Sequence, residues 1–498
     1  MINAPEFTAT ESRQSAIATR ARTRYLTLTC LVASLGGLLF GFDTAVISGT
    51  LDAVKNQFVL SGIMEGWFTS SALVGCIFGA LIAGYLGDRF GRKPILIASG
   101  ILFLLSGIYS TIPKDFDILT IARLFCGLGV GMSSVIAPMY ITEFAPPKLR
   151  GRLVAFYQLS IVIGILAATV TNWQILRFAQ AHSAETGGSN WIRWLFVDQY
   201  WRGMFGAEIL PAILFLILLC FVPESPRWLI KMDRSTDGLN ILTRISGEAI
   251  ALREFEDIKQ TLNSHETSVR ELFRPGLRRA LLIGIMLSVF GQLSGVNIVV
   301  YYGPKILMAA GFHEAGALLG QVGFGLINLI FTILALLVID RWGRRPLLIG
   351  GMAVVTFALT AIGCLFFFGG STVPAPMGAA GPAGLSQTAS LWIGIMICIY
   401  IACIALSICA VIWVLTPEIF PTRVRSQGAS IATFANWGTN AVSAFVFPWY
   451  VSSFGMHTFF FTTGAICLVA TLFFWKEVPE TKGRTLEEIE KLWLPSPP

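Results

Sequence analysis

The sequence predicts an all-α membrane protein with twelve transmembrane helices. This fold class rests on the composition, on long apolar runs and on an internal repeat. Of the 498 residues, 54% are hydrophobic and only 13% are charged, whereas a soluble domain carries about 25% charged residues. A helix needs about 20 apolar residues to cross a hydrocarbon core of about 30 Å. Twelve runs of this kind occupy residues 25–48, 65–86, 94–112, 118–141, 153–174, 203–222, 278–302, 316–339, 346–369, 390–415, 428–450 and 457–475.

A polar, charged stretch separates the sixth run from the seventh and divides the chain six plus six. It contains DGLNILTRI and ALREFEDIKQTL, which predict a water-exposed helical linker. The expected parts are a cytoplasmic tail at 1–24, a six-helix bundle at 25–222, a cytoplasmic linker at 223–277, a second six-helix bundle at 278–475 and a cytoplasmic tail at 476–498.

The charges of the loops predict the orientation of the chain in the membrane. When alternate loops are assigned to opposite sides, one side carries 29 Lys and Arg residues and the other carries 6. Cytoplasmic loops are the ones enriched in these residues. Both termini and the linker are therefore expected in the cytoplasm, with the chain crossing the cell membrane (plasma or inner membrane) many times. The net charge of +7 follows from this bias and requires no nucleic-acid partner.

The two halves of the chain share three motifs, each placed after the corresponding run. Such a parallel repeat of two six-helix halves predicts a transporter whose substrate lies between the halves near the middle of the membrane. The pairs are DRFGRKP (Asp88–Pro94) with DRWGRRP (Asp340–Pro346), EFAPPKLRG (Glu143–Gly151) with EIFPTRVRS (Glu418–Ser426), and VPESPR (Val222–Arg227) with VPETKGR (Val478–Arg484).

The sequence lacks the motifs of ATP-driven pumps and of enzymes. No G-x-x-x-x-G-K-[ST] nucleotide loop occurs. GLGVG at Gly127–Gly131 lies inside an apolar run, where it predicts close helix packing. Three of the four histidines fall outside the apolar runs, His457 is the first residue of the last run, and the nine cysteines are irregularly spaced. We therefore expect no enzyme activity, no cofactor and no metal site.

Two ionisable residues lie deep in apolar runs of the first half, Asp43 in run one and Arg123 in run four. A carboxylate there costs roughly 2.5–3.5 kcal/mol on insertion scales, and intramembrane charges usually pair inside the bundle. Burial favours the protonated carboxyl and a neighbouring guanidinium favours the carboxylate. A changing separation would therefore load and release a proton, which predicts proton coupling. A static ion pair is the alternative. Glu208, near the start of run six, is expected to be structural and closer to the outer surface.

A group of polar and aromatic residues interrupts the apolar runs and predicts a sugar site. Amides donate to and accept from adjacent hydroxyls, and an indole covers the apolar face of a sugar ring. The members in run seven lie near one face of a helix that is expected to break at Gly291 or Gly295. Taken singly, each residue could instead form an interhelical hydrogen bond. The group comprises Gln158, Gln292, Asn297, Tyr301, Asn328, Trp413, Asn436 and Trp437.

Together the motifs resemble the sugar porter family of the major facilitator superfamily, over about residues 25–490. They are most similar to those of bacterial D-xylose–proton symporters. The resemblance implies a major facilitator fold, a sugar substrate, a proton as coupling ion and a monomer in the lipid bilayer. It implies proton coupling at Asp43, where the family's animal uniporters have a neutral amide, and sugar contacts from Phe40 and the group above. The motifs that carry it are GLLFGFDTAVISG, DRFGRK, PMYITEFAP, PESPRWL, INLIFT, EIFPTRVR and VPETKGRTLEEIE.

The resemblance also implies ion-pair networks at the cytoplasmic end, which would lock the two halves together when the transporter opens outward. The members of this gate would be Asp88, Arg92, Glu143, Arg150, Glu224, Asp340, Arg344, Glu418 and Arg425.

The expected pocket departs from the resembled symporters at several positions. Ile165 and Gly291 stand where those proteins have glutamines, and Asn436 stands where a glutamine is common. Cys409 and Ala410 stand where Gly-Pro is usual. Each missing neutral hydrogen bond is worth about 1 kcal/mol, so we expect a roomier and less polar pocket. The expected substrate is xylose, glucose or a related polyol, and the sequence does not distinguish among them. A uniporter of the same fold and a sugar receptor without transport are the alternatives.

Overall fold

The structure is a computed structural model, and it describes residues 9–146, 149–183, 190–262, 272–274, 276–369, 385–421, 424–482 and 493. Within these ranges the side chains of residues 9–21, 190, 249, 261, 262, 340, 417 and 426 are not described. Parts of the expected tails and linker, and the side chain of the predicted gate residue Asp340, therefore lie outside the described residues.

Nineteen α-helices account for nearly all of the described chain. In the first half they are α1 (Ala9–Phe58), α2 (Gly62–Phe90), α3 (Arg92–Thr111), α4 (Phe116–Phe144), α5 (Arg150–Ala181), α6 (Asn190–Arg193), α7 (Tyr200–Gly206) and α8 (Ile209–Phe221). A π-helical turn, Trp194–Asp198, follows α6. The linker contains α9 (Pro226–Lys231), α10 (Ser235–Ser246) and α11 (Glu248–Leu262). The second half contains α12 (Leu277–Leu293), α13 (Val296–Ala309), α14 (Glu314–Trp342), α15 (Arg344–Phe368), α16 (Gln387–Leu406), α17 (Ile408–Ile419), α18 (Arg425–Phe454) and α19 (Met456–Glu477).

Eleven spans among the described residues are long and apolar enough to cross a membrane by length and composition. The twelfth expected span, α18, falls outside that set. It carries the polar residues Asn436 and Asn440, which lower its hydropathy, and it packs against α2 of the first half and α12 of the second. Its length of 30 residues exceeds the roughly 20 that a membrane core requires.

The seventh span is broken between α12 and α13, as the sequence predicts, and Gly295 is the residue that breaks it. Gly295 has φ +85° and ψ 9°, a left-handed conformation that costs other residues about 1–2 kcal/mol. The hydroxyl of Tyr400, on α16, donates to the Ser294 carbonyl at 2.9 Å and fixes the break from outside. Gly291, the other candidate, lies within α12 and packs against Ile412. The sixth and tenth spans also consist of two helices each, α7–α8 and α16–α17.

The two halves meet along three helix pairs: α2 with α18, α5 with α14, and α1 with α13. The α2–α18 approach is close enough to require a glycine. A Cβ atom on Gly66 would lie only 2.1 Å from the carbonyl oxygen of Phe445.

The linker helices dock on one end of the first half. Trp228 Nε1 donates to the Asp88 carbonyl at 3.0 Å, and Lys231 Nζ lies 3.3 Å from Asp88 Oδ2. The linker has a small core of its own around Ile230 and Leu242. We refer to this end of the bundle as the linker end and to the other as the opposite end.

Candidate functional site

Asp43 and Arg123 form an ion pair in the interior of the first half. Arg123 Nη1, on α4, donates to Asp43 Oδ1, on α1, and both side chains are buried. The guanidinium also lies over the ring of Phe205, 5.7 Å from its centroid. The structure thus brings together the two residues that the sequence singled out as a pair.

Glu208 lies beside this pair in the interior and not near the surface as expected; the expectation that its role is structural stays a prediction. It lies at the break between α7 and α8 and is only 1% exposed. Its carboxylate oxygen, an oxygen of Asp43 and the sulfur of Cys126 all lie within 4.8 Å of one another. Two carboxylates therefore face one guanidinium in a buried cluster, which we call the charge cluster (Asp43, Arg123 and Glu208).

The broken seventh span positions a chain of amides. Asn297 Nδ2 donates to Gln292 Oε1 at 2.8 Å across the break, and Gln292 Nε2 donates to Asn436 Oδ1 on α18 at 3.1 Å. The break makes the contact between Asn297 and Gln292 possible, because it brings these residues, five positions apart, to the same side of the seventh span. Three of the predicted sugar-site residues thus form one hydrogen-bonded row.

Aromatic residues connect this row with the charge cluster. The rings of Phe40 and Trp437 lie 5.5 Å apart between centroids. Both line a small cavity together with Asp43, Arg123 and Tyr301. The cavity measures about 10 Å³, roughly the space that one water molecule requires. The predicted proton site and part of the predicted sugar site therefore share one cavity.

Three predicted residues lie apart from this centre. Asn328 lines a neighbouring cavity of about 30 Å³ that also contacts Ile165, and it accepts from Thr332 Oγ1 at 3.4 Å. Trp413 lies on α17 with 51% of its surface exposed, beside a larger cavity. Gln158 is partly buried, about two turns from the start of α5.

Asn440 is a site residue that the sequence reasoning missed. It is buried on α18, and its Nδ2 donates to the hydroxyl of Tyr301 at 3.1 Å. It follows Asn436 by four residues, so the two share one helix face. That spacing is the signal that could have identified it.

The predicted gate residues of the first half form a network at the linker end. Arg92 donates to both carboxylate oxygens of Glu143, at 3.0 and 2.9 Å, and lies 3.1 Å from Asp88 Oδ1. Glu224 accepts from the backbone N–H of Arg92 at 3.0 Å, at the N-terminus of α3, where a carboxylate is favourable. Burial raises the pKa of Glu224, and the backbone donors and Arg92 oppose this rise. The hydroxyl of Ser225 completes the network by donating to Glu143.

The second half repeats this network. Arg344 Nη2 donates to Glu418 Oε1 at 3.1 Å, and Glu480 accepts from the backbone N–H of Arg344 at 3.1 Å. Thr481 Oγ1 donates to Glu418 Oε2 at 2.7 Å. Glu480 was not among the predicted residues, although it occupies in VPETKGR the position that Glu224 occupies in VPESPR.

The contacts described for Arg425 and Arg150 lie within the second half and between the first half and the linker, respectively. Arg425 Nε donates to the Phe420 carbonyl at 3.4 Å, and Arg150 lies near enough to the linker residue Glu254 to lower its pKa, against the larger opposing effect of burial. The expected lock between the halves stays a prediction.

Polar contacts join the two halves at the opposite end. Glu65, on α2 and 1% exposed, accepts from Lys55 Nζ of its own half at 2.9 Å and from Lys305 Nζ on α13 of the other half. Tyr200 donates to Glu314 Oε1 at 3.0 Å, which is a second contact between the halves. The opposite end is therefore closed in this conformation.

A family model described as "Sugar (and other) transporter" matches residues 29–493. The arabinose-proton symporter of Bacillus subtilis (strain 168) is 38% identical over 472 residues, which cover 94% of this chain and 95% of that protein. The D-xylose-proton symporter of Escherichia coli (strain K12) is 36% identical, with 96% and 97% covered.

Solved structures are similar over nearly the whole chain. The inward open conformation of the xylose transporter from E. coli matches with a TM-score of 0.76 and 35% identity, covering 93% of this chain and 99% of that one. A proton:xylose symporter bound to 6-bromo-6-deoxy-D-glucose matches with a TM-score of 0.74 and 35% identity, covering 95% and 100%.

Proposed function

The chain belongs to the sugar transporter family, and on that premise we propose that it carries a monosaccharide together with a proton across the membrane by alternating access. It is a multi-pass membrane protein with a major facilitator fold, and its family consists of transporters rather than enzymes. The observation that carries the proposal is the charge cluster, because Asp43 and Arg123 line one cavity with the sugar-site residues Tyr301 and Trp437. Relatives described as arabinose-proton and D-xylose-proton symporters support both the sugar and the proton.

The composition of the charge cluster explains how it would handle a proton. Two carboxylates and one guanidinium are neutral together only when one proton is bound. An uncompensated charge in the membrane interior is costly, so the cluster would hold one proton while water is excluded from it. Arg123 donates to Asp43 here, so Glu208 is the carboxylate of the cluster that Arg123 does not bond in this conformation. A proton on Asp43 would release Arg123 to pair with Glu208.

Coupling requires that the cluster take up this proton from the outside in the outward-facing state and release it to the cytoplasm in the inward-facing state. A proton that travels inward gains about 2.3 kcal/mol per 100 mV of membrane potential. This free energy would drive the accumulation of sugar.

The amide row supplies hydroxyl-binding groups for the sugar. In the absence of a ligand, Asn297, Gln292 and Asn436 satisfy one another, and sugar hydroxyls can replace these bonds without leaving a buried amide unpaired. Phe40 and Trp437 offer apolar faces beside the row. We assign Gln158, Asn328 and Trp413 to the wall of the same site in a conformation that brings the halves closer.

We also propose that the linker end faces the cytoplasm. The bias of 29 to 6 in loop cations supports this orientation. With the opposite end closed by Glu65 and Lys305, this conformation is then the inward-facing one. The repeated networks around Arg92 and Arg344 would guide closure of the linker end in the outward-facing one.

Uptake by proteoliposomes tests the proposed function. Pentoses, hexoses and polyols are offered with and without an imposed inward pH gradient. We expect at least one neutral sugar to accumulate above its external concentration only when the gradient is present. A uniporter would equilibrate the sugar regardless of the gradient, and a receptor would not move it.

Asp43→Asn tests the role of the charge cluster in this function. With a neutral amide at position 43, Glu208 and Arg123 form a neutral pair with no excess charge to attract a proton, so we expect the variant to lose uphill accumulation while it still exchanges internal for external sugar. Accumulation by the variant against a gradient would refute the assignment.

A further inference from the structure

A proline interrupts the hydrogen-bond ladder of α13 next to the contact that closes the opposite end. Pro304 lies inside this helix and has no backbone N–H to donate to the carbonyl of Val300, four positions back. Lys305, the next residue, forms the ion pair with Glu65 that joins the two halves. Helices bend most readily at such a proline, so this ion pair depends on a weak point in α13.

Gln321, on α14, supplies the donor that Pro304 lacks. Its Nε2 donates to the Val300 carbonyl at 3.0 Å and to the Val299 carbonyl at 3.3 Å. The side chain is 3% exposed, and its Oε1 has no hydrogen-bond partner in the described part of the chain. The two carbonyls determine the orientation of the amide, because the reverse orientation would place an oxygen acceptor against both of them. The contribution of Gln321 therefore comes from its donation to α13.

The close approach of Gln321 to α13 requires a glycine. A Cβ atom on Gly303 would overlap Gln321 Oε1. Gly303 thus leaves room for the amide directly before Pro304, the residue whose missing donor the amide replaces. A glycine and a proline on one helix and a glutamine on the next therefore form one contact.

This contact separates the part of α13 that belongs to the sugar site from the part that closes the opposite end. Asn297 and Tyr301 lie before Pro304 and contribute to the amide row and to the small cavity. Lys305 lies after it. A bend of α13 at Pro304 would move Lys305 away from Glu65 and leave the two sugar-site residues in place.

We propose that Gln321 is a positioning residue for transport. By replacing the helix hydrogen bond that Pro304 removes, it holds Lys305 against Glu65 and stabilises the state that is closed at the opposite end. The proposal rests on the alternating access of the proposed function. Loss of the Gln321 donor would allow α13 to bend and shift the molecule towards the state that is open at this end. A backbone N–H at position 304 would make the amide unnecessary.

A double-mutant cycle tests this role. Gln321→Met retains a side chain of similar length but removes the donor, whereas Pro304→Ala restores the backbone N–H. Spin labels at the exposed positions Ile63 and His313 measure the opening of the opposite end in the absence of sugar. We expect Gln321→Met to raise the ratio of open to closed molecules about fivefold, the factor that corresponds to one neutral hydrogen bond. Pro304→Ala, alone or combined with Gln321→Met, should keep the wild-type ratio or a lower one.

Gln387→Met is the matched control, because Gln387 is exposed at the start of α16. It should leave the ratio of open to closed molecules unchanged. An equal increase in Gln321→Met and in the double variant would overturn the proposal, since a general packing role of Gln321 predicts no rescue by Pro304→Ala. An unchanged ratio in Gln321→Met would overturn it as well.

Melting temperatures in detergent identify variants that do not fold. If Gln321→Met does not fold, the double variant must regain a folded state, and its failure to do so would overturn the proposal. The distances are measured without sugar, so these outcomes do not depend on sugar accumulation by the wild-type protein, which tests the proposed function separately.

Discussion

The position of Glu208 in the structure differs from the position that the sequence predicts. Its position near the start of an apolar run indicates a place close to the membrane surface. The break between α7 and α8 instead leaves its carboxylate beside Asp43, with 1% of the residue exposed. A third ionisable residue within the apolar runs of one half was the available signal, since such residues are rare and usually functional.

Glu208→Gln should separate sugar binding from proton coupling. Without the second carboxylate, Asp43 and Arg123 form a neutral pair that has no excess charge to attract a proton. We expect proton-driven accumulation to fall until the internal and external sugar concentrations are nearly equal, while counterflow persists. Glu208→Asp keeps the carboxylate and should retain part of the accumulation. Full coupling in the glutamine variant, measured in the proteoliposome assay, would remove Glu208 from the mechanism.

The sequence singled out residues whose chemistry is unusual for their surroundings, and their roles in transport stay predictions. Asp43 and Arg123 were identifiable because charges are costly in apolar runs. Gln292 and Asn297 were identifiable because their spacing fits one helix face. The contact between Gln292 and Asn436 joins positions 144 apart in the sequence, and no local pattern specifies it.

The α12–α13 break is the element on which the amide row depends. Glycine and a hydrogen bond from Tyr400 hold it in place. The sequence limited the position of the break to two glycines. The backbone conformation decides between them, because only Gly295 has a positive φ there. The breaks in the sixth and tenth spans involve no glycine with a positive φ and were not predicted.

Gly295→Ala should destabilise the protein and slow transport. The nearest atoms to a new Cβ would be Thr463 Cγ2 and Tyr400 Oη, both at 3.5 Å, so the cost comes from the backbone and amounts to about 1–2 kcal/mol. We expect a lower melting temperature and a higher KM for sugar. Gly350→Ala is the control, since Gly350 is helical and no atom lies within 4 Å of its added Cβ. Equal effects of the two substitutions would contradict this account.

At the scale of the whole molecule, the predicted fold class is confirmed, with two six-span halves in a major facilitator fold. Hydropathy and repeats determine such an arrangement strongly because the membrane limits the alternatives. The conformation could not be predicted in the same way. It depends on contacts such as Glu65 with Lys305, which are 240 positions apart and differ between the states of one transporter.

Lys305→Met should shift the molecule towards the state that is open at the opposite end. It removes the ion pair between the halves, whereas Lys55→Met removes one within the first half. Lys55 still neutralises Glu65 in the first variant, so we expect a shift of about 1 kcal/mol, or about fivefold in population. Spin labels at the exposed positions Ile63 and His313 should report longer distances for Lys305→Met only. The same distance change in both variants would show that the pair between the halves has no special role.

The matching networks at the linker end also record the ancestry of the chain. An arginine, two glutamates and a hydroxyl residue occupy equivalent places in both halves, and three of their hydrogen bonds correspond. The simplest origin is duplication and fusion of a six-span unit. Ser225 in the first half corresponds to Thr481 in the second half. The two side chains differ in shape, but both carry a hydroxyl that donates to a glutamate. The two networks at the linker end therefore allow the sequences of the two halves to be aligned, even where the sequences of the helices between them differ.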